Sequence, residues 1–410
     1  MFTRTKRPIR VLAVDDSAVM RGILKTLFLA HNRKRPRELP EMELCGTVTN
    51  GVECLAAVLS LRPDVVVLDL EMPRMHGLDV LERLRVEEPG LPVIMCSSYT
   101  ERGARATLDA LALGAADYVM KPAEQSALDP AMETLANQLL PKIVALAGVG
   151  HQAIAGMRGQ TQRQEGATAG AAAPQVEIVV IGVSTGGPSA LEAMLPKLAA
   201  DFPVPIMIVQ HMPKLFTGAL AKRLDRCCAL RVREATDGAE LSPGTIWLAP
   251  GDKHMEVTGS SKSTAARGGS TGAMAVRLHQ GPSFNHCKPS VDYLFCSAAM
   301  FYGAGTLAVV MTGMGSDGLA GARRVHDVGG VVLTQDAASS AVWGMPGRVF
   351  EAGISREPLP LSTLAGELTR RVNAVRSGRP FAAGPYPPTA PQLDITAATA
   401  SRNEVINGLL

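Results

Sequence analysis

Residues 177–195, EIVVIGVSTGGPSALEAML, place a serine on a sharp turn. The apolar, β-branched run Ile178 to Ile181 suits a strand buried on both faces. The chain then turns through Gly182, Ser184, Thr185, Gly186, Gly187 and Pro188, and from Ala190 the residues Leu191, Met194 and Leu195 recur at helical spacing. A strand thus delivers Ser184 to a helix N-terminus, where unpaired backbone N–H groups and the helix dipole favour negative charge. Two chemistries fit such a turn equally well: a nucleophilic hydroxyl, or a cradle for a phosphate or dinucleotide. The spacing is not G-x-G-x-x-G, because Ser184 takes the place of the second glycine. It is literally G-x-S-x-G, through Gly182, Ser184 and Gly186.

Two further residues supply what a serine nucleophile needs. His211 follows the apolar run Pro205 to Val209, and Asp317 lies in the glycine-rich TGMGSDG after Leu307 to Met311. A histidine near neutral pH can take the serine proton, and a carboxylate can hold the imidazole in the right tautomer. Glycines around Asp317 let backbone N–H groups approach a developing oxyanion. Singly, His211 reads as a packed or surface histidine and Asp317 as a loop or capping aspartate. Jointly with Ser184, the catalytic reading prevails. The order Ser…His…Asp differs from the Ser…Asp…His of α/β-hydrolases, which argues against that fold and not against the chemistry.

A second constellation lies nearer the N-terminus. Asp15, Asp16, Asp69, Ser97 and Lys121 each stand at the end of an apolar run expected to be a strand. In an open α/β sheet ligands bind at that edge. Carboxylates converging there repel unless a cation joins them, and oxygen donors with some water suit Mg²⁺. Lys121 adds a positive charge and Ser97 a hydroxyl, so together they can stabilise a phosphoryl group carried by one carboxylate. Any one of these residues alone reads as a cap or a solvated charge; five at matching positions do not.

The elements that must position these groups alternate strand and helix in both halves, which argues for parallel sheets with helices on both faces. In a chain of 410 residues that means two or three domains, and 46% hydrophobic content means that most of it folds. A net charge of +3 is too small for a nucleic-acid surface, and neither a recognition-helix pattern nor a basic stripe is present. Seven scattered cysteines without a C-x-x-C pair fit reduced thiols better than disulfides or a zinc site. No signal peptide and no apolar run of membrane-spanning length appears, so the expectation is a soluble, cytoplasmic protein. His31 to Glu41 is basic and reads as a surface loop. Ala131 to Leu140 reads as a helix resuming after Pro141, residues 148–174 as a flexible linker, Gly259 to Ala273 as a mobile loop, and the Pro- and Ala-rich end from Gly378 as poorly ordered.

LAVDDS, VVLDLEMPRMHGLDVL, VIMCSSYT and ADYVMKP resemble the sequence blocks of response-regulator receiver domains. The resemblance implies that Asp69 is the phosphoacceptor, that Asp15, Asp16 and Asp69 bind Mg²⁺, that Ser97 and Lys121 contact the phosphoryl group, and that Tyr118 is the aromatic that follows phosphorylation. IGVSTGGPSAL, IVQHMP, KPSVDYLF and VVMTGMGSDGLAG resemble the catalytic domain of the chemotaxis protein-glutamate methylesterases. That implies Ser184 as nucleophile, His211 as general base, Asp317 as its partner and the Met314 N–H in the oxyanion hole, with no cofactor for the esterase chemistry. Where the family usually carries Arg before Pro-Ser-Val-Asp, this chain has Lys288, which lacks the planar fork of Arg.

The expected architecture is α/β: two doubly wound, mainly parallel-sheet domains joined by a flexible linker. These are a flavodoxin-like receiver at 8–126, a helix end and linker at 127–175, a Rossmann-like three-layer methylesterase domain at 176–375, and a tail at 376–410. The resemblance implies a phosphorylation-activated hydrolase of glutamyl methyl esters on chemoreceptors, also deamidating receptor glutamines, with a sensor histidine kinase as partner and neither nucleic-acid binding nor membrane insertion. The rival expectation is a non-enzymatic, phosphorylation-dependent adaptor that binds a receptor or nucleotide at the glycine turn.

Overall fold

The computed structural model describes residues 7–35, 39–122, 128–149, 175–259, 273–355 and 357–374. Strands β1 (Ile9–Val14), β2 (Met42–Val48), β3 (Val65–Asp69), β4 (Val93–Ser97) and β5 (Asp117–Met120) form a parallel sheet in the order β2-β1-β3-β4-β5. Helices α1 (Ala18–Lys34), α2 (Gly51–Leu61), α3 (Gly77–Glu87), α4 (Glu101–Ala112) and α5 (Leu128–Val149) cover it. The strand order reverses at β1, so the carboxyl ends of β1 and β3 flank the crevice where such sheets bind ligands.

The second sheet is built from β6 (Ile178–Val183), β7 (Ile206–Gln210), β8 (Arg231–Glu234) and β9 (Thr245–Leu248). After an antiparallel pair of its own, β10 (His254–Gly259) with β11 (Met274–His279), it is completed by β12 (Thr306–Val310), β13 (Val331–Gln335) and β14 (Pro358–Leu359). Its order is β14-β13-β12-β6-β7-β9-β8, all parallel, with β6 at the reversal. Side chains alternate across β6. Val179 and Ile181 face α6 (Gly187–Met194), α7 (Lys214–Cys227) and α11 (Leu361–Asn373). Ile178 and Val180 face α8 (Val291–Tyr302), α9 (Leu319–Asp327) and α10 (Met345–Glu351). All four are fully buried, each contributing roughly 1.5–3 kcal/mol. This three-layer arrangement and the five-stranded sheet are the two expected α/β domains.

Several local expectations are corrected. His31 to Lys34 belong to α1: Ser17 caps its start, basic residues in its last turn complement the dipole, and Asn32 ties its end to Met42 of β2. Pro141 does not interrupt α5, because Leu135, Leu139, Ile143 and Leu146 keep one buried stripe across it. Strands β8, β10, β11 and β14 were not expected. They are short or pair antiparallel with a neighbour, so their local pattern is weak. Residues 150–174 of the expected linker, 260–272 of the expected mobile loop and the tail from 376 lie outside the described residues.

The two domains pack on each other. Tyr118 of β5 stacks on Phe216 of α7, ring centroids 4.9 Å apart, and Leu108 and Leu111 of α4 join the same apolar cluster as Leu220. Thr185 Oγ1 donates a 2.7 Å hydrogen bond to Asp117 Oδ2, and Ser189 Oγ donates to the Leu111 carbonyl at 2.9 Å. Arg223 of α7 pairs with Asp109 of α4.

Candidate active site and phosphoacceptor site

Ser184 and His211 come together through register. Strands β6 and β7 are neighbours with Val183 opposite Gln210, so the next residue of each, Ser184 and His211, emerges at the same edge. The His211 N–H donates to the Val183 carbonyl, and the Ser184 N–H to the Thr312 carbonyl beyond β12. Gln210 Nε2 bridges the carbonyls of Ser184 and His211. Two glycines make the turn possible. Gly186 has φ +76°, and a Cβ on Gly313 would sit 2.8 Å from Cβ of Ser184 and 2.5 Å from Sδ of Met345.

Asp317 completes the group from the loop after β12. His211 Nε2 donates to Asp317 Oδ2 at 2.7 Å. The same carboxylate accepts from Val291 N (2.7 Å) and, through Oδ1, from Ser290 Oγ (2.7 Å), the residue that caps α8. Burial would raise the pKa of Asp317, but these bonds, led by His211, hold it below its ordinary value. Burial also opposes charge on His211. The sulfur of Cys287 and the carboxylate of Asp317 favour it more strongly and hold the imidazole up at about 10. With Nε2–H given to Asp317, Nδ1 is the nitrogen whose proton comes and goes, and it serves as a base in the neutral form of the ring. It faces Cys287 Sγ at 3.7 Å, and among the described residues Ser184 Oγ makes no hydrogen bond. Catalytic bonds of this kind often close only when substrate is bound. The Met314 N–H, expected in the oxyanion hole, lies in the loop between Gly313 and Asp317, and among the described residues it has no hydrogen-bond acceptor.

Sequence reasoning missed two residues here. Ser290 is not singled out by its sequence context, and Cys287 reads only as one of seven reduced thiols. The signal was their place in the run Cys287-Lys288-Pro289-Ser290, but nothing local aims that run at His211.

The second constellation gathers around Lys121. Its Nζ lies 2.9 Å from Asp15 Oδ2 and 2.8 Å from Asp69 Oδ2. Burial, countered by Lys121 and reinforced by Asp15, raises the Asp69 carboxyl to about 6. Asp15, Asp16 and Asp69 can each bring an oxygen within 4.8 Å of the others, and Asp69 Oδ2 is buried without an aligned hydrogen bond. Three carboxylates with an exposed side at Asp16 fit Mg²⁺. Ser97 reaches the same edge, but its hydroxyl bonds Thr107 and Gly103 of α4. Tyr118 faces the second domain, with Lys142 Nζ 5.2 Å from its ring centre.

Comparison with known proteins agrees with both halves. The family description "CheB methylesterase" matches residues 179–368, and "Response regulator receiver domain" matches residues 11–133. A protein of Trichodesmium erythraeum named protein-glutamate methylesterase/protein-glutamine glutaminase is 41% identical over 88% of this chain and 99% of its own. One of the same name from Nocardioides is 44% identical over 89% and 95%. A third, from Caulobacter vibrioides, is 40% identical over 90% and 100%. Relatives spanning both domains are thus named as enzymes, which sets aside the adaptor expectation. The chain belongs to the CheB methylesterase family, with a response-regulator receiver domain ahead of its catalytic domain.

Proposed function

We propose that this protein is a phosphorylation-activated hydrolase that removes methyl esters from glutamyl residues of chemoreceptors and deamidates receptor glutamines in chemosensory adaptation. The observation that carries the reading is the 2.7 Å His211–Asp317 bond at the strand edge that also presents Ser184.

In this reading Ser184 Oγ attacks the ester carbonyl and His211 Nδ1 takes its proton, with the imidazolium stabilised by Asp317. The Met314 N–H, which has no other acceptor among the described residues, stabilises the oxyanion. Collapse expels methanol, protonated by His211, and leaves a glutamyl ester on Ser184. Water, deprotonated by His211, then releases the glutamate. A glutamine follows the same course with ammonia as the leaving group.

Asp69 accepts the phosphoryl group, with a sensor histidine kinase as donor. Lys121 holds its oxygens, and Ser97 exchanges its bonds to α4 for the phosphoryl group, a change that reaches Tyr118 and the packed domain face. Asp15, Asp16 and Asp69 would hold Mg²⁺, which when bound neutralises charge on the transferred group. Docking of β5 and α4 beside the Ser184 turn supports restraint of the esterase until phosphorylation. The net charge of +3 supports a protein partner over nucleic acid, and among the described residues no helix is long and apolar enough to cross a membrane. The cytoplasm is the compartment where such a receiver meets its kinase.

The test is methanol release from methylated receptor, with and without a small-molecule phosphodonor and Mg²⁺. Release should rise with phosphodonor and vanish in Ser184→Ala; full activity in that variant overturns the assignment.

A further inference from the structure

At Nδ1, the imidazole of His211 meets a thiol. Cys287 and Phe284 exchange backbone hydrogen bonds (2.9 and 3.2 Å), closing a tight turn whose central residues Asn285 and His286 both have positive φ, +50° and +61°. That is the backbone of a type I′ hairpin turn. Asn285 Nδ2 anchors it to the buried Asp292 at 3.0 Å. The turn therefore presents Cys287 Sγ to His211 Nδ1 as a built contact of 3.7 Å, with Sγ also 3.4 Å from the Asn285 carbonyl.

These donors fit a metal. Zinc binds sulfur at about 2.3 Å and imidazole nitrogen at about 2.0 Å, so tetrahedral coordination sets the two donors about 3.5 Å apart. Asp317 brings a carboxylate oxygen within 4.8 Å of Cys287 Sγ and of a ring nitrogen of His211. Both its oxygens already accept hydrogen bonds, so it stands behind the histidine, donor-bonded to Nε2, as carboxylates do behind zinc-ligating imidazoles. The sulfur–nitrogen pair also differs in softness from the all-oxygen set at Asp15, Asp16 and Asp69, which selects a different class of ion.

We propose that His211 Nδ1 and Cys287 Sγ form a site for a divalent transition metal of the zinc class, and that its occupation blocks ester hydrolysis. Two Lewis-base bonds form to the metal, the protons carried by Cys287 Sγ and by His211 Nδ1 pass to solvent, and water or Ser184 Oγ fills the remaining positions. The blockade rests on His211 as the base, since the metal takes the lone pair that receives the serine proton; binding does not.

The full-length protein, kept in Mg²⁺, is titrated with Co²⁺ while the thiolate-to-cobalt charge-transfer absorption is read, and Zn²⁺ is then added in competition. A band that Zn²⁺ removes, lost in Cys287→Ser and formed roughly tenfold or more weakly in His211→Gln, is the expected result. The Zn²⁺ concentration that halves methanol release, each variant relative to its own zinc-free rate, should rise roughly tenfold or more in Cys287→Ser. No band, or one that survives Cys287→Ser, overturns the site and leaves the role of His211 standing. A band that disappears with Cys287 while hydrolysis ignores Zn²⁺ overturns the blockade and, with it, His211 as the base.

Discussion

Thr185→Val removes one hydroxyl from the contact between the domains. Thr185 Oγ1 donates to Asp117 Oδ2 at 2.7 Å, and both residues are buried. Valine keeps the volume and the β-branch, so the turn beside Ser184 keeps its shape. A hydrogen bond to a charged acceptor is worth about 1.5–3 kcal/mol. Asp117 retains Lys142 Nζ at 2.9 Å and the Tyr118 N–H at 2.7 Å, so its carboxylate is not orphaned and the lower end applies. About 1.5 kcal/mol is a little over tenfold in an equilibrium. If the docked receiver restrains hydrolysis, the unphosphorylated rate should rise by about tenfold while the phosphodonor-stimulated rate changes little. The stimulation ratio then shrinks by the same factor. The assay is the initial rate of methanol release from methylated receptor, with and without phosphodonor and Mg²⁺. An unchanged ratio with both rates at their natural level refutes the reasoning. An equal fall in both rates shows instead that valine disturbs Ser184, and Asp117→Asn, which weakens the same bond from the receiver side, separates the two cases.

Ser184→Ala should lower hydrolysis by roughly 10³-fold or more with an unchanged melting temperature. Asp69→Asn, or chelation of divalent metal, should abolish phosphodonor stimulation and leave the basal rate; stimulation that survives both sinks the phosphoacceptor assignment. Ser290→Ala deletes the 2.7 Å bond to Asp317 Oδ1 and should lower kcat by about tenfold with little change in KM, as steady-state kinetics would show. His254 is held neutral: burial lowers its pKa to about 4, Nδ1 accepts the Ser290 N–H, and Nε2 donates to the Pro282 carbonyl. Because its folded pKa lies below the unfolded 6.5, the stability it contributes is complete above pH 6.5 and lost as pH falls toward 4. Melting temperatures at pH 7 and pH 5 should therefore differ less in His254→Gln than in the natural protein, and an identical difference would refute this.

Local signals carried much of the site. Apolar runs ending in Asp15, Asp69, Ser184 and His211, and glycines where the chain must turn, are short-range features, and the strand–helix alternation leaves few arrangements besides parallel sheets. Helix ends and edges were less legible. His31 to Lys34 look like a basic loop until Asn32 is seen tied to β2, and Pro141 looks like a break until the stripe from Leu135 to Leu146 finds its partners. Orientation was not legible at all. Ser97 stands at the expected strand end, yet its hydroxyl turns to Thr107; Tyr118 stacks on a ring of the other domain. The amino-acid sequence by itself determined which residues stand at the strand ends, because propensity and periodicity act over a few residues. Tertiary structure alone decided which nitrogen of His211 meets Asp317 and which meets Cys287, and that Thr185 meets Asp117, because strand order and register bring together groups whose sequence spacing says nothing about one another.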